Sequence, residues 1–158
     1  MLKLRPKFGN EEEAYQYCIA DGYVKEVLTV NKDKAEALLR NSIISVESAD
    51  ALANLLSQRD EKWMTVYVLY YEALRTCAEA FLLFDKIISS NHQCLFAALC
   101  VKHPELELDW GFLEAVRTKR NGVNYYGERV IYSDWKAVEM KMKLYISALK
   151  KEIDKKLA

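Results

Sequence analysis

The chain is poor in residues that break structure. Of its 158 residues only two are proline and five are glycine. That argues against the many tight turns of a sandwich or barrel and for a few long, uninterrupted elements. Net charge is missing as well, because 23 basic residues balance 23 acidic ones. Nucleic-acid binding by bulk positive charge is thereby excluded, and any such contact has to come from a local patch. Histidine is scarce: His92 stands at an expected helix start and His103 directly before Pro104, and both are expected at the surface. No Cys-x-x-Cys pair exists, so no zinc-ligand spacing is completed and no metal or other cofactor is expected. Cys18, Cys77, Cys94 and Cys100 are expected to be reduced thiols, with Cys77 and Cys94 in apolar helical patterns, as in a cytoplasmic protein. Apolar runs are too short and too interrupted to cross a bilayer. Lys3, Arg5 and Lys7 precede none, so neither a membrane anchor nor a secretory signal is expected.

What the chain has is helical periodicity, with 51% hydrophobic residues, enough for a core. Residues 1–9 read as an irregular lead-in. Asn10 followed by Glu11, Glu12 and Glu13 is a helix start, a capping residue with negative charge at the positive end of the dipole. Asp21-Gly22 ends that helix, and Tyr23 to Val30 fits either helix or strand. Asn31 or Asp33 caps a helix to about Leu56, whose mostly small inner residues (Ala35, Ser42, Ala49, Ala53) allow a close neighbour. A central helix is predicted from about Glu61 to Ile88. Trp63, Tyr67, Tyr70, Leu74, Cys77, Phe81, Phe84 and Ile88 follow one another at steps of four and three. A helix this apolar around its girth must be enclosed by others, or continue across a dimer. A shorter helix follows Asn91 and ends before Pro104. Asp109 caps the next, which Gly127 stops, and Ser133 or Asp134 caps the last, with Trp135, Val138, Met142, Tyr145, Leu149 and Ile153 as its apolar stripe. The expected fold is all-α: an antiparallel up-down bundle of four to five long helices. Residues 1–30 form a short N-terminal helical extension and residues 31–158 the bundle domain.

The stretch Arg117-Thr-Lys-Arg-Asn-Gly-Val-Asn-Tyr-Tyr-Gly127 concentrates the chain's anion-matching side chains. Leu113, Val116, Arg120 and Val123 share one helical face, so Arg120 occupies a position the pattern reserves for apolar residues. A guanidinium there needs an acceptor, because an unpaired buried charge is costly. Arg117, Asn121 and Asn124 lie beside it at helical spacing. Arginine's planar fork matches phosphate as well as carboxylate. Two outcomes stay open at this point: a phosphate-binding patch, or an ion pair with Glu72, Glu79 or Glu114.

Four long helices with Arg-Asn-x-x-x-Tyr-Tyr-Gly near the end of the penultimate long one resemble the HEPN superfamily of prokaryotic helical bundles. Tyr71 to Ala80, with His92 ahead of Leu95, is similar to that family's second helix and following turn. The resemblance covers roughly residues 31 to 156. It implies a homodimer with an arginine-lined cleft and, in active members, metal-independent RNA cleavage by an arginine with a histidine beyond it. Here the arginine is Arg120, the polar residue after it is Asn121, and Tyr125 stands at the histidine's place. A tyrosine, with a reference pKa near 10, is a poor base at neutral pH. Five residues of regular helix also rotate by roughly 140°, so Arg120 and Tyr125 share a site only if the helix bends at Gly122 or a second protomer supplies one of them.

The resemblance therefore implies a binding module for RNA or a nucleotide, using Arg117, Arg120, Asn121, Asn124 and Tyr126. Its implied partner is a minimal nucleotidyltransferase, as toxin with antitoxin or as a substrate-binding subunit. The alternatives are an endoribonuclease with Arg120 and an altered Tyr125 or Tyr126 as catalytic residues, and a structural helical domain with no nucleic-acid role.

Overall fold

The computed structural model of the chain describes residues 7–158; the first six residues of the expected lead-in lie outside the described residues. Helix α1 (Glu11–Ala20) starts where the Asn10 side chain accepts a hydrogen bond from the Glu13 amide at 2.8 Å. Strand β1 (Lys25–Glu26) settles the segment that the sequence left between helix and strand. Helix α2 (Lys32–Ala53) is capped by Asn31, and helix α3 (Trp63–Leu83) is the buried centre. Strand β2 (Ile87–Ile88) is followed by α4 (His92–Lys102), a 3-10 turn over Pro104–Leu106, α5 (Trp110–Tyr126) and α6 (Tyr132–Leu157). The architecture is an all-α helical bundle.

Helix α3 stops five residues earlier than its apolar stripe implied. Beyond Phe84 the chain turns through Lys86, which has a left-handed φ of 61°. The β-branched pair Ile87-Ile88 then runs extended, antiparallel to Lys25 and Glu26. Ile87 stays buried there, so its hydrophobicity is satisfied without helix. This return places α4 in the same sense as α3, with Tyr71 against His92 and Phe96 and Phe81 against His103.

The small inner face of α2 does what its composition implied. Ala35, Ser42 and Ala49 are buried, and the Ser42 hydroxyl donates to the Ala73 carbonyl at 2.8 Å. On the other side α6 runs along α3, Trp135 meeting Tyr70 at 4.6 Å between ring centroids and Tyr132 meeting Trp63 edge-on. Helix α6 begins at Tyr132, before the expected caps Ser133 and Asp134. Asp134 reaches back instead, its carboxylate accepting from the Ile131 amide at 2.9 Å.

Residues 11–30 are joined to the bundle in two ways. Strand β1 pairs with β2, and Cys18 on α1 forms a disulfide with Cys94 on α4. This corrects the expectation of four reduced thiols. Only Cys77 and Cys100 are free, both buried, and burial pushes the Cys100 thiol up to about 12. The two sulfurs come from helices separated by 76 positions, a proximity that no spacing motif announces.

His103 is also more enclosed than expected, its side chain 13% exposed. One ring nitrogen faces the Asp85 carboxylate and the other lies 2.7 Å from Glu105 Oε1. An imidazolium satisfies both carboxylates, whereas a neutral ring satisfies one. The bond from His103 holds the Glu105 carboxyl below its ordinary value of 4.5. A carboxyl depressed on folding adds stability that is complete above the unfolded value and is lost as pH falls through the folded one. Urea midpoints of the wild type and Glu105→Gln should therefore differ near about pH 5 and converge as the pH falls toward about 3. A gap that widens on acidification would contradict this.

Candidate functional site

Helix α5 carries the arginine-rich stretch as one continuous helix to Tyr126, ended by Gly127 at φ 65°. It runs antiparallel to α3, so its inner face meets the narrow polar strip of that helix. Here the α5 arginines enter two neighbouring ion-pair groups, Arg120 with the strip on α3 and Arg117 with Glu114 on its own helix. Arg120 donates from Nη2 to Glu72 Oε1 at 3.0 Å. The other oxygen of Glu72 accepts from Arg75 at 2.8 and 3.0 Å, and Arg75 reaches Glu79 at 2.9 Å. Arg117, only 7% exposed in its side chain, grips both oxygens of Glu114 at 2.8 and 2.9 Å. Gln93, at the start of α4, donates to the same Glu114 at 2.9 Å.

The ion-pair outcome is thus realised for Arg120, with the first of its three expected partners. In this cluster three guanidiniums face three carboxylates, and the formal charge cancels. Among the described residues no buried side-chain nitrogen or oxygen lacks a hydrogen bond.

Arg120 has further neighbours. Its guanidinium lies 5.4 Å from the centroid of the Tyr71 ring, close enough for a cation–π contact. With its amide oriented to satisfy both groups, the Asn124 oxygen accepts from Arg120 Nε at 3.2 Å and Nη2 at 3.3 Å. Asn121 is a longer neighbour at 3.5 Å. The Tyr71 hydroxyl in turn lies 3.1 Å from His92 Nδ1. Burial raises the Tyr71 pKa strongly, and the opposing pull of Arg120 and Arg117 does not bring it back. Tyr71 therefore keeps its proton at physiological pH and is not a base.

The expected site residues separate into two groups. Arg117, Arg120, Asn121 and Asn124 come together on one side of α5. Tyr125 and Tyr126 do not join them and stand 58% and 64% exposed at the helix end. No bend at Gly122 brings Tyr125 round to Arg120 within this chain. Gly122 is instead buried where the Glu128 side chain crosses it; a Cβ there would lie 2.4 Å from that carboxyl.

Tyr71, Arg75, His92 and Gln93 were not legible as site residues. Arg75 sits in the polar strip of α3 at i+3 from Glu72 and i−4 from Glu79, a spacing typical of any solvated helix face. His92 reaches the cluster only through the parallel placement of α4. Among the described residues no group of three or more His, Cys, Asp or Glu side chains is arranged to hold a metal ion, and no helix is long and apolar enough to cross a membrane. No family model matches the chain, and no curated protein or solved structure matches it either.

Proposed function

We propose that this chain is a HEPN-like helical-bundle binding module that recognises the phosphate of an RNA or nucleotide at the α5 face. The supporting observation is a pre-oriented, partly accessible guanidinium on the helix that also ends in two exposed tyrosines. Arg120 is held by Glu72, Asn124 and the Tyr71 ring, with 17% of its side chain still accessible. One turn further on, Tyr125 and Tyr126 are exposed. A phosphate on the open edge of the guanidinium, with bases stacked on the tyrosines, is the usual division of labour in single-strand recognition. Because the cluster is charge-balanced, few counterions are released and salt dependence is shallow, a slope of about one or two.

The homodimer and the nucleotidyltransferase partner follow from the HEPN resemblance and belong to the same proposal. A cytoplasmic setting belongs to it too, provided the Cys18–Cys94 bond survives there; burial of both sulfurs at 0% and 1% exposure favours its survival.

Fluorescence anisotropy with a labelled single-stranded RNA tests the module. Wild type should bind, and Arg120→Ala or Tyr125→Ala/Tyr126→Ala should weaken binding by roughly tenfold or more. If wild type fails to bind at millimolar RNA, or the variants bind equally well, the α5 cluster is a structural ion-pair network only.

The endoribonuclease reading is favoured by one observation: His92 and Arg120 both contact Tyr71, which places an imidazole in the arginine's neighbourhood. Histidine is suited to moving protons near neutrality. Chelator-resistant RNA cleavage that disappears in both His92→Ala and Arg120→Ala would select this reading over simple binding.

A further inference from the structure

A concave site of about 390 Å³ lies between α2, α3 and α6, lined by no residue of α5. Its walls are aliphatic, from Leu39, Ile43 and Val46 on α2 and Ile146 on α6. Volume and lining fall in the range of small-molecule sites, which are mostly apolar with a few placed polar groups.

Contacts across the slot fix its polarity. Asp50 and Tyr70 share a hydrogen bond at one end, and Ser42 and Cys77 meet at 3.0 Å at the other. At the first end the cation is already engaged. Lys143 lies 3.4 Å from Glu139 and 5.7 Å from the Tyr70 ring centroid. Glu47 and Asp50 leave that end acidic.

The other end differs. Lys150 lines the slot two helical turns beyond Lys143, about 10 Å along α6. Among the described residues it makes no ion pair. The floor beside it is formed by the uncharged Ser42 and Cys77, and Asp154, one turn further along α6, is the acidic group felt at this end. Ser42 donates to the Ala73 carbonyl, and burial pushes the Cys77 thiol up, with the Ser42 hydroxyl and Lys150 pulling against it and Asp154 adding to it. A neutral floor, aliphatic walls and an uncommitted ammonium match an anion with an aliphatic tail. The acidic far end disfavours a second carboxylate on that tail.

We propose that this slot binds a short aliphatic monocarboxylate, its head on Lys150 and its chain along Ile43, Val46 and Ile146 toward Tyr70. The site is independent of the α5 cluster and does not rest on the RNA-binding proposal.

Octanoate, octylamine and suberate, titrated separately into the full chain with methyl NMR and calorimetric readouts, test it. Octanoate should saturate with shifts in the Ile43, Val46 and Ile146 methyls and bind at least about tenfold more tightly than suberate or octylamine. Lys150 is exposed, so Lys150→Glu should keep the circular dichroism spectrum and melting profile of wild type while weakening octanoate by about tenfold. Val46→Phe, which fills the slot, should abolish the shifts. The proposal is overturned if octanoate leaves the methyls unmoved or if octylamine binds as well. It is equally overturned if Lys150→Glu leaves octanoate affinity unchanged.

Discussion

Cys18→Ala/Cys94→Ala, and equally the reduced wild type, is expected to unfold with about 4 kcal/mol less free energy than the disulfide form. The magnitude comes from the 76-position separation, since a cross-link that closes a long loop removes much of the unfolded chain's entropy. For a domain of this size the melting temperature should drop by roughly 10 °C. The loss should fall unevenly on the molecule. Helix α1 is held by Ala14, Tyr15 and Cys18 against α4, and β1 by a two-residue pairing that is marginal alone. Once the bond is open, amide exchange should rise first in residues 11–30, ahead of α3. Denaturation with and without a dithiol, with thiol state verified by mass, measures the first effect, and exchange measures the second. Reduced protein that keeps the same denaturation midpoint would show that α1 is held by packing alone.

Glu72→Ala should be the most damaging single change in the α5 cluster, costing about 2 kcal/mol. Glu72 serves two guanidiniums, Arg120 with one oxygen and Arg75 with the other, so its removal takes a carboxylate from both at once and leaves Arg75 with Glu79 and Arg120 with Asn124. Breaking a fully buried pair costs about 3–5 kcal/mol. The smaller figure reflects the residual exposure of these side chains, 17% for Arg120 and 26% for Glu72. A double-mutant cycle with Arg120→Met should return a coupling energy of about 1 kcal/mol or more. The same residue separates structure from function. If phosphate competes with Glu72 for Arg120, Glu72→Gln should destabilise the protein yet bind RNA about tenfold more tightly. If the network is purely structural, stability falls and RNA affinity stays undetectable.

Legibility followed the range of the forces involved. Local caps could be read residue by residue: Asn10, Asn31, Asn91 and Asp109 each accept from an amide three residues ahead, and Gly127 takes the left-handed conformation that ends α5. The apolar stripe of α3 announced a buried central helix but not its end. Ile87 and Ile88 extend the helical period as well as any helical pair, and only the available partner strand decides for extended backbone. Arg120 was conspicuous because a guanidinium interrupts an apolar face. The sequence offered Glu72, Glu79 and Glu114 as partners, and antiparallel packing of α5 on α3 selected Glu72.

The sequence by itself determined the class of fold, the positions of nearly every helix start, and the place of the one charged side chain on an apolar face. Those depend on interactions within a few residues along the chain, where hydrophobic period and capping chemistry act. Tertiary structure alone decided that α4 runs alongside α3, that Cys18 meets Cys94, that His92 reaches Tyr71, and that Tyr125 faces solvent instead of Arg120. Each of these depends on which helices become neighbours, and that is set by burial summed over whole faces, which no short motif encodes.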